Sequence, residues 1–264
     1  MFTFRLLRGL AKLIRKLLSD EVWVRIEPVL PGKEGDPGRT ATDNRWFVEA
    51  VLWIGRTGCP WRDLPSEFGR WDTVYMRFLR WRRKGVWECV THAVSDETEI
   101  KRVLTDSAVV FAHQHSAGAR KKGGPKGLDC SRGGLTTKLH LAIDNAGRPL
   151  RLIATAGQVT DITCANELVE HLRTAAVIAD KGYDSDAFAA TFRAAGAKVV
   201  IPPRSNRTTK RRYSRVLYRT RNIVERFFNC IKHFRRVATR YDKLAGNYLA
   251  FASLACAFGS LVRM

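Results

Sequence analysis

The chain has 264 residues, with 46 Lys and Arg against 25 Asp and Glu, which gives a formal net charge of +21. This length can bury a sizeable core without disulfides, and a hydrophobic content of 45% with 7 Trp and 13 Phe excludes a disordered basic tail. A folded chain with this excess of positive charge is expected to bind a polyanion. The 6 cysteines form no C-x2-C pair, so neither a zinc ribbon nor a disulfide framework is predicted.

Residues 1–18 are expected to form a basic amphipathic extension. Because no small-residue cleavage site follows them, a secretory signal is not predicted; the segment could lie on DNA or a membrane surface, or result from a misassigned start. The uncharged stretch from Leu244 to Val262 is predicted to be a packed helix rather than a membrane span, because Asn, Ser, Ala and Gly dilute its hydrophobicity. We therefore expect a cytoplasmic chain without stable membrane association.

Residues 19–98 are predicted to form four helices. The first two each follow a Ser, Thr or Asp that can cap them, and they end at Pro31 and Gly58. The third, over residues 71–84, places apolar side chains on one face and arginines on the rest. A short fourth helix follows it. This region is predicted to be an all-α domain.

Residues 99–264 are predicted to form a separate α/β domain. Three strand-like segments begin at Val103, Thr136 and Pro149, and an Asn and a Gly supply a turn between the last two. A helix, a strand, a helix and a strand follow, and then a basic loop leads to a long helix from about Arg219 to Arg240. The order β-β-β-α-β-α-β-α is that of the ribonuclease H topology with a mixed five-stranded sheet, although this order also fits other α/β arrangements.

Three carboxylates stand where this topology brings its elements together. Asp106 lies in the first strand, Asp180 ends the fourth strand, and Glu225 lies on the long helix. Each alone is typical of a turn, a cap or a solvated face, but a cluster of carboxylates repels itself unless divalent cations bind. Oxygen ligands favour Mg²⁺ or Mn²⁺. Two such ions, about 3.5 to 4 Å apart, can activate a hydroxyl group and stabilise a leaving phosphate oxygen.

Several segments carry longer motifs. Residues 218–232 read YRTRNIVERFFNCIK, which contains the pattern Y-x2-R-x3-E-x6-K. This segment, together with VIADKGYDSD around the second aspartate and LTDSAVVFAHQHSAGARKKGG around the first, resembles the DDE transposases of bacterial insertion sequences, in the superfamily around insertion sequences four and five. Upstream, CPWRDLPSEFGRWDTVYMRFLRWRRKGVW is similar to their N-terminal helical domain. The resemblance covers about residues 19–260.

The resemblance implies a DNA transposase in which Asp106, Asp180 and Glu225 bind two Mg²⁺ ions, for which Mn²⁺ can substitute. Its implied partners are double-stranded DNA, as terminal inverted repeats and as target, and a second copy of the chain in a synaptic homodimer. Residues 19–98 are then expected to bind DNA, with the helix over residues 71–84 facing a groove. The resemblance implies that Tyr218, Arg221 and Lys232 contact DNA or steady the third carboxylate, and that the chain is associated with the nucleoid. Further nucleic-acid contacts are expected from Arg77, Arg80, Arg82, Arg83, Lys121, Lys122, Arg211 and Arg212.

Two departures from the family pattern leave alternatives open. Ala108 stands where the family often has Thr, and Phe111 stands where a basic residue is common; neither change removes a metal ligand. A catalytically inactive protein that represses its own element's ends is one alternative, and a stand-alone nuclease of the same fold is another. His113 and His115 could face one side of an extended segment, but without an obvious third ligand a structural or phosphate-contacting role is favoured.

Overall fold

The computed structural model describes residues 16–37, 41–94, 99–117, 129–131 and 134–259. The first part is helical, as predicted. Short 3₁₀ turns follow its first helix and connect its second to its third. The four helices are α1 (Asp20–Ile26), α2 (Asn44–Thr57), α3 (Trp71–Arg83) and α4 (Val86–Val94).

Side-chain caps determine where the first two helices begin. The Ser19 hydroxyl accepts a hydrogen bond from the Val22 N–H at 3.4 Å, and the Asp43 carboxylate accepts one from the Trp46 N–H at 2.8 Å. Gly58, with a φ of 71°, ends α2 in the left-handed conformation that favours glycine. Both predicted starts and the predicted stop at Gly58 are confirmed, whereas α1 ends at Ile26, ahead of the predicted stop at Pro31, and a 3₁₀ turn over Glu27–Val29 follows.

The second part contains a mixed sheet. The strands are β1 (Arg102–Phe111), β2 (Asp129–Ser131), β3 (Gly134–Asp144), β4 (Pro149–Ala156), β5 (Ala176–Ile178) and β6 (Lys198–Val200). β3 pairs antiparallel with β1, β4 and the short β2, while β1, β5 and β6 run parallel to one another. The predicted ribonuclease H-like order is confirmed, and β2 adds a short sixth strand to the predicted five.

Helices cover both faces of this sheet. Alternate strand residues belong to two separate cores: Val103 and Val177 pack with the helices after β4 and β5, whereas Leu104 and Ile178 pack with the C-terminal helices. The helices of this part are α5 (Gln114–Ala117), α6 (Asp161–Val169), α7 (Asp186–Ala194), α8 (Arg215–Arg219), α9 (Asn222–Ile231), α10 (Arg235–Ala238) and α11 (Ala245–Gly259).

The predicted single helix from Arg219 to Arg240 is wrong. The chain forms α8, α9 and α10 there, separated by turns. Between α9 and α10, Phe234 adopts an extended backbone conformation with a φ of −78° and a ψ of 101°, and its side chain is buried. The chain changes direction at Phe234, and both Phe234 and Val237 are buried there. The pattern of charges in the sequence did not predict this interruption of the helix.

The helix α11 is buried on nearly all sides and joins the two parts of the molecule. It packs against α2, α3 and α4, as well as against β4 and α9, so the N-terminal helices and one face of the sheet share a single core. The prediction of a packed helix is confirmed, and in the described ranges no helix is both long and apolar enough to cross a membrane. Residues 95–98, at the predicted domain boundary, and residues 1–15 of the extension lie outside the described residues.

Candidate active site

Asp106 and Asp180 occupy equivalent positions on neighbouring parallel strands. Leu104 of β1 is in register with Ile178 of β5, and each aspartate follows two residues later. This point is the carboxyl end of β5, the edge at which α/β sheets place ligands. Asp180 also caps the 3₁₀ turn that follows, because its Oδ1 accepts a hydrogen bond of 2.6 Å from the Gly182 N–H.

Asp106 is a largely buried carboxylate with a cationic partner. Its Oδ2 lies 2.8 Å from Nη2 of Arg221, and its Oδ1 accepts a hydrogen bond of 2.9 Å from the Ser107 N–H. Burial raises the pKa of Asp106 above the ordinary aspartate value, while Arg221 and the Ser107 N–H oppose that rise. The first aspartate therefore depends on Arg221 for compensation of its charge.

Glu225 is exposed on α9, and Arg221 connects it to the first aspartate. Nη1 of Arg221 forms an ion pair with the Glu225 carboxylate one helical turn away, while its Nη2 bonds Asp106. The buried position of Arg221 disfavours its charge, but Asp106 more than compensates, so that the pKa of Arg221 is raised. One guanidinium thus bridges the first and third predicted carboxylates.

The oxygen donors at this edge fit a divalent cation. The Asp180 carboxylate is close enough to contribute to the raised pKa of Asp106, and two mutually repelling carboxylates are a donor set that a hard dication stabilises. Within the described ranges no three His, Cys, Asp or Glu side chains converge to hold a metal ion. Arg221 ion-pairs with both Asp106 and Glu225, so Glu225 can join the aspartates only if this cation moves aside.

A fourth carboxylate, Asp161, lies beside the aspartates and was not singled out from the sequence. As the first residue of α6, its Oδ1 lies 2.7 Å from the Ser107 hydroxyl and 3.2 Å from Nζ of Lys138. The sequence signal was an acidic residue at a helix start, a short loop after β4. That signal has a common structural explanation, so only the three-dimensional contacts distinguish Asp161 from an ordinary helix-start residue.

Two buried polar groups form the wall next to Asp161. Burial lowers the pKa of His140 to about 4, so its ring is neutral at neutral pH. Burial also raises the pKa of Tyr183 well above its ordinary value, and the nearby Asp161 and Asp106 carboxylates raise it further. Both side chains therefore present neutral surfaces to the acidic cluster.

Two protein families match the chain across this architecture. The family described as "Putative transposase of IS4/5 family" matches residues 18–91, and the family described as "Transposase DDE domain" matches residues 97–258. The chain belongs to the DDE transposases. The family resemblance of the sequence motifs is thereby confirmed, and the transposase domain contains all the carboxylates of the candidate site.

Relatives of this transposase come from other bacterial insertion sequences. The chain is 38% identical over 127 residues to the "Putative transposase for insertion sequence element IS6501" of Brucella ovis, covering 47% of this chain and 96% of the relative. It is 32% identical over 149 residues to the "Putative transposase for insertion sequence element IS402" of Burkholderia cepacia, covering 52% and 67%. The piggyBac transposase, in a synaptic complex with hairpin DNA, has a similar fold: a TM-score of 0.53 at 13% identity, covering 92% of this chain and 72% of that one.

The other two residues of the Y-x2-R-x3-E-x6-K motif, Tyr218 and Lys232, lie on α8 and at the end of α9. Tyr218 is half-buried, its ring 5.5 Å from that of Tyr213, and burial raises its pKa. Lys232 is exposed at the end of α9. Because Lys232 follows Glu225 by seven residues, the two lie along the same side of the helix.

The basic loop over residues 201–214, between β6 and α8, is held by the buried carboxylate of Asp184, four residues after Asp180. The Asp184 carboxylate accepts a hydrogen bond of 2.9 Å from the Arg204 N–H and one of 2.7 Å from Nε of Arg207, and it also ion-pairs with Arg211. Arg211, predicted to contact DNA, is thus held inside the fold in this structure, while Arg212 is exposed.

The predicted DNA-contacting arginines of α3 are likewise of two kinds, some bonded within the fold and others exposed. The Arg77 guanidinium bonds the Asn44 side chain and lies 4.3 Å from the centre of the Phe47 ring, so this predicted DNA contact is committed to packing. Nη1 of Arg82 donates a hydrogen bond of 2.7 Å to Asn247 of α11. The exposed predicted arginines of this helix are Arg80 and Arg83.

Two further predictions concern the segment after β1. The His113 and His115 rings lie 4.5 Å apart, and Nδ1 of His113 accepts a hydrogen bond from the His115 N–H, which fits the favoured structural role. Lys121 and Lys122 lie outside the described residues.

Proposed function

We propose that this transposase is catalytically active, cutting DNA at the ends of its insertion sequence and joining the freed strand to a target. The observation that supports the proposal best is the equivalent placement of Asp106 and Asp180 on neighbouring strands, with Glu225 tied to Asp106 through Arg221. A chain that only bound DNA would have no need for a largely buried carboxylate such as Asp106, with a raised pKa, at this edge.

In this proposal Asp106, Asp180 and Glu225 hold divalent cations, Mg²⁺ or Mn²⁺. When bound, the cations activate the attacking hydroxyl group and stabilise the leaving phosphate oxygen. Arg221 pairs with Asp106 and Glu225 in this structure, and bound cations would leave its guanidinium free to pair with a DNA phosphate. The carboxylates of this chain therefore position the metal, and Arg221 changes partner.

Double-stranded DNA is the proposed substrate, and exposed basic residues on two sides of the site supply its phosphate contacts. Arg80 and Arg83 are exposed on α3, Arg212 is exposed in the loop before α8, and Lys232 is exposed at the end of α9, the helix of Glu225. Joining two element ends in one reaction requires at least two copies of the chain, so we propose a homodimer in the synaptic complex. Such a DNA-bound protein would associate with the nucleoid in the cytoplasm.

The test is a cleavage and strand-transfer assay on labelled duplexes that carry the ends of the element flanking the gene. Mg²⁺, Mn²⁺ and EDTA are compared for the parent protein and for Glu225→Gln. Active transposition predicts nicks and joined products that require metal and that the variant loses. Nicks without joined products would favour a nuclease, and tight binding without scission in either metal would favour a repressor of the element's ends.

A further inference from the structure

Asp161 contacts the sheet on the face opposite Glu225. In the pairing of β1 with β3, Ser107 lies opposite His140 and Val109 lies opposite Lys138, so these side chains share the face that α6 covers. Asp161 reaches this face from α6 and meets the Ser107 hydroxyl at 2.7 Å. Ser107 is the chain neighbour of Asp106 and donates its own N–H to the Asp106 carboxylate. Asp161 is therefore one residue removed from the first catalytic aspartate.

The Asp161 carboxylate also packs closely against Gly182, in the turn that follows Asp180. A Cβ atom placed on Gly182 would lie 2.7 Å from Oδ2 of Asp161 and 2.8 Å from Oδ1 of Asp180. Real Cβ atoms essentially never approach other atoms so closely. The carboxylates of Asp161 and Asp180 thus occupy the space that a side chain at residue 182 would need. The Gly182 N–H also donates a hydrogen bond to Asp180.

Lys138 compensates the negative charge of the half-buried Asp161 carboxylate. Its ammonium lies 3.2 Å from Asp161 and donates a hydrogen bond of 2.7 Å to the Val159 carbonyl. The Lys138 and Asp161 side chains are 14% and 19% exposed. A carboxylate in such a place is strongly destabilising unless it is paired and hydrogen-bonded, and Asp161 is both.

We propose that Asp161 is a positioning residue of the catalytic centre, which fixes the spacing of Asp106 and Asp180 through Ser107 and Gly182. This inference rests on the proposed function, because the spacing matters for cations held by the two aspartates. Partners that orient metal ligands without touching the metal commonly contribute 10- to 100-fold to metal affinity.

The first experiment measures amide hydrogen exchange of the full chain without metal, comparing the parent with Asp161→Asn. The control is Glu170→Gln, which removes the same charge from an exposed side chain just beyond the other end of α6. We expect exchange to become about tenfold faster in Asp161→Asn, confined to peptides covering residues 104–108 and 179–183. The Ser107 hydroxyl loses its charged acceptor, and the side chain packed against Gly182 loses the charge that pairs it with Lys138. Unchanged exchange, or equal acceleration across the whole chain, would overturn the proposal.

A second variant separates the two contacts. Ser107→Ala leaves Asp161 paired with Lys138 and removes only the link to β1. Its accelerated exchange should therefore be limited to residues 104–108. Acceleration at residues 179–183 as well, or at neither segment, would contradict the assignment. This variant also tests the proposal if Asp161→Asn fails to fold.

Manganese affinity distinguishes this proposal from the proposed function. Titration of the full chain with Mn²⁺, followed by electron paramagnetic resonance, should give an affinity about tenfold weaker for Asp161→Asn than for the parent and for Glu170→Gln. Equal affinities would refute the positioning role. If the parent binds no Mn²⁺ and cuts no DNA while the local exchange change is present, the proposed function fails and the role of Asp161 in fixing the aspartates stands.

Discussion

At the scale of single residues, Arg221 is the group on which the state of the site depends. Its guanidinium compensates a largely buried aspartate and an exposed glutamate at the same time. The sequence motif predicted that Arg221 lies near Glu225, because the two are one helical turn apart. It did not predict the contact with Asp106, which is 115 positions away in the chain. The long-range contact depends on how α9 packs over β1.

The charge compensation by Arg221 predicts a pH-dependent loss of stability. Arg221→Gln should raise the already raised pKa of Asp106 further, so that the ionised carboxylate at pH 7 costs more in the folded than in the unfolded state. We expect the free energy of unfolding to fall by about 1–3 kcal/mol at pH 7. The deficit should shrink as the pH falls through the folded pKa, because protonation removes the buried charge. Denaturant unfolding across pH measures it, and a deficit independent of pH would contradict the assignment.

Replacement of Gly182 should affect the cleavage rate far more than the free energy of unfolding. In Gly182→Ala the new methyl group meets the carboxylate ends of Asp161 and Asp180, and moving them should lower the free energy of unfolding by about 1–2 kcal/mol, which leaves the chain folded. Asp180 belongs to the proposed site and Asp161 is proposed to position it, so cleavage should fall about a hundredfold. Gly246→Ala on α11, where a Cβ would lie 3.4 Å from Arg82, is the control with normal cleavage. Normal cleavage by Gly182→Ala would show that the site tolerates displacement of these carboxylates.

At the scale of elements, local signals predicted most of the helices and strands. Ser19 and Asp43 start their helices as the caps indicated, and alternating apolar residues located β1, β3 and β4. The break between α9 and α10 was missed, because it depends on the burial of the Phe234 side chain in the tertiary core, which no local pattern shows. Asp161 was missed for a related reason: its partners come from β1 and β3, and no local pattern relates them.

The basic loop after β6 predicts a second pH effect, with the opposite sign. Burial raises the pKa of Asp184, but hydrogen bonds from the Arg204 N–H, Arg207 and Arg211 outweigh burial and lower it overall. The stability from these contacts is therefore present above the unfolded aspartate pKa and lost as the pH falls through the folded one. Asp184→Asn should lower the free energy of unfolding by about 3 kcal/mol at pH 7, and this loss should shrink as the pH falls through the folded pKa of Asp184.

The control for the loop is Asp186→Asn, which changes the same charge two residues along. Asp186 pairs with Arg207 and Arg211, but its side chain is 78% exposed. Its replacement should alter stability by less than about 0.5 kcal/mol. Equal losses for the two variants in denaturant titrations would show that burial of Asp184 is not what holds the loop.

At the scale of the whole molecule, the N-terminal helices and the sheet are joined through α11. The rings of Phe78 on α3 and Phe251 on α11 stack at 4.8 Å, and Arg236 of α10 donates to the Cys59 carbonyl at 2.8 Å. Composition and motif boundaries predicted two domains, but they did not show that the two share buried side chains. The orientation of α3 relative to the catalytic edge is consequently fixed by a common core.

This shared core predicts that both parts unfold together. Phe251→Ala should lower the free energy of unfolding by about 3–5 kcal/mol, because it removes a fully buried ring. Circular dichroism and tryptophan fluorescence should report one coincident transition, since the Trp residues lie mainly in the helical part. Val24→Ala, at a 67% exposed position on α1, is the neutral control. Two separate transitions in the parent would mean that the parts fold independently.

The central claim is the proposal that Asp106, within β1, and Asp180, just beyond β5, hold the metal ions for DNA cleavage. The most direct test compares Asp180→Asn with Asp186→Asn for scission of labelled element ends in Mn²⁺, with DNA binding measured in parallel. We expect Asp180→Asn to bind the ends as the parent does and to cut them at least a thousandfold more slowly, by about 4 kcal/mol in activation free energy, while Asp186→Asn cuts normally. Metal-dependent cleavage by Asp180→Asn at the parent's rate would contradict the account.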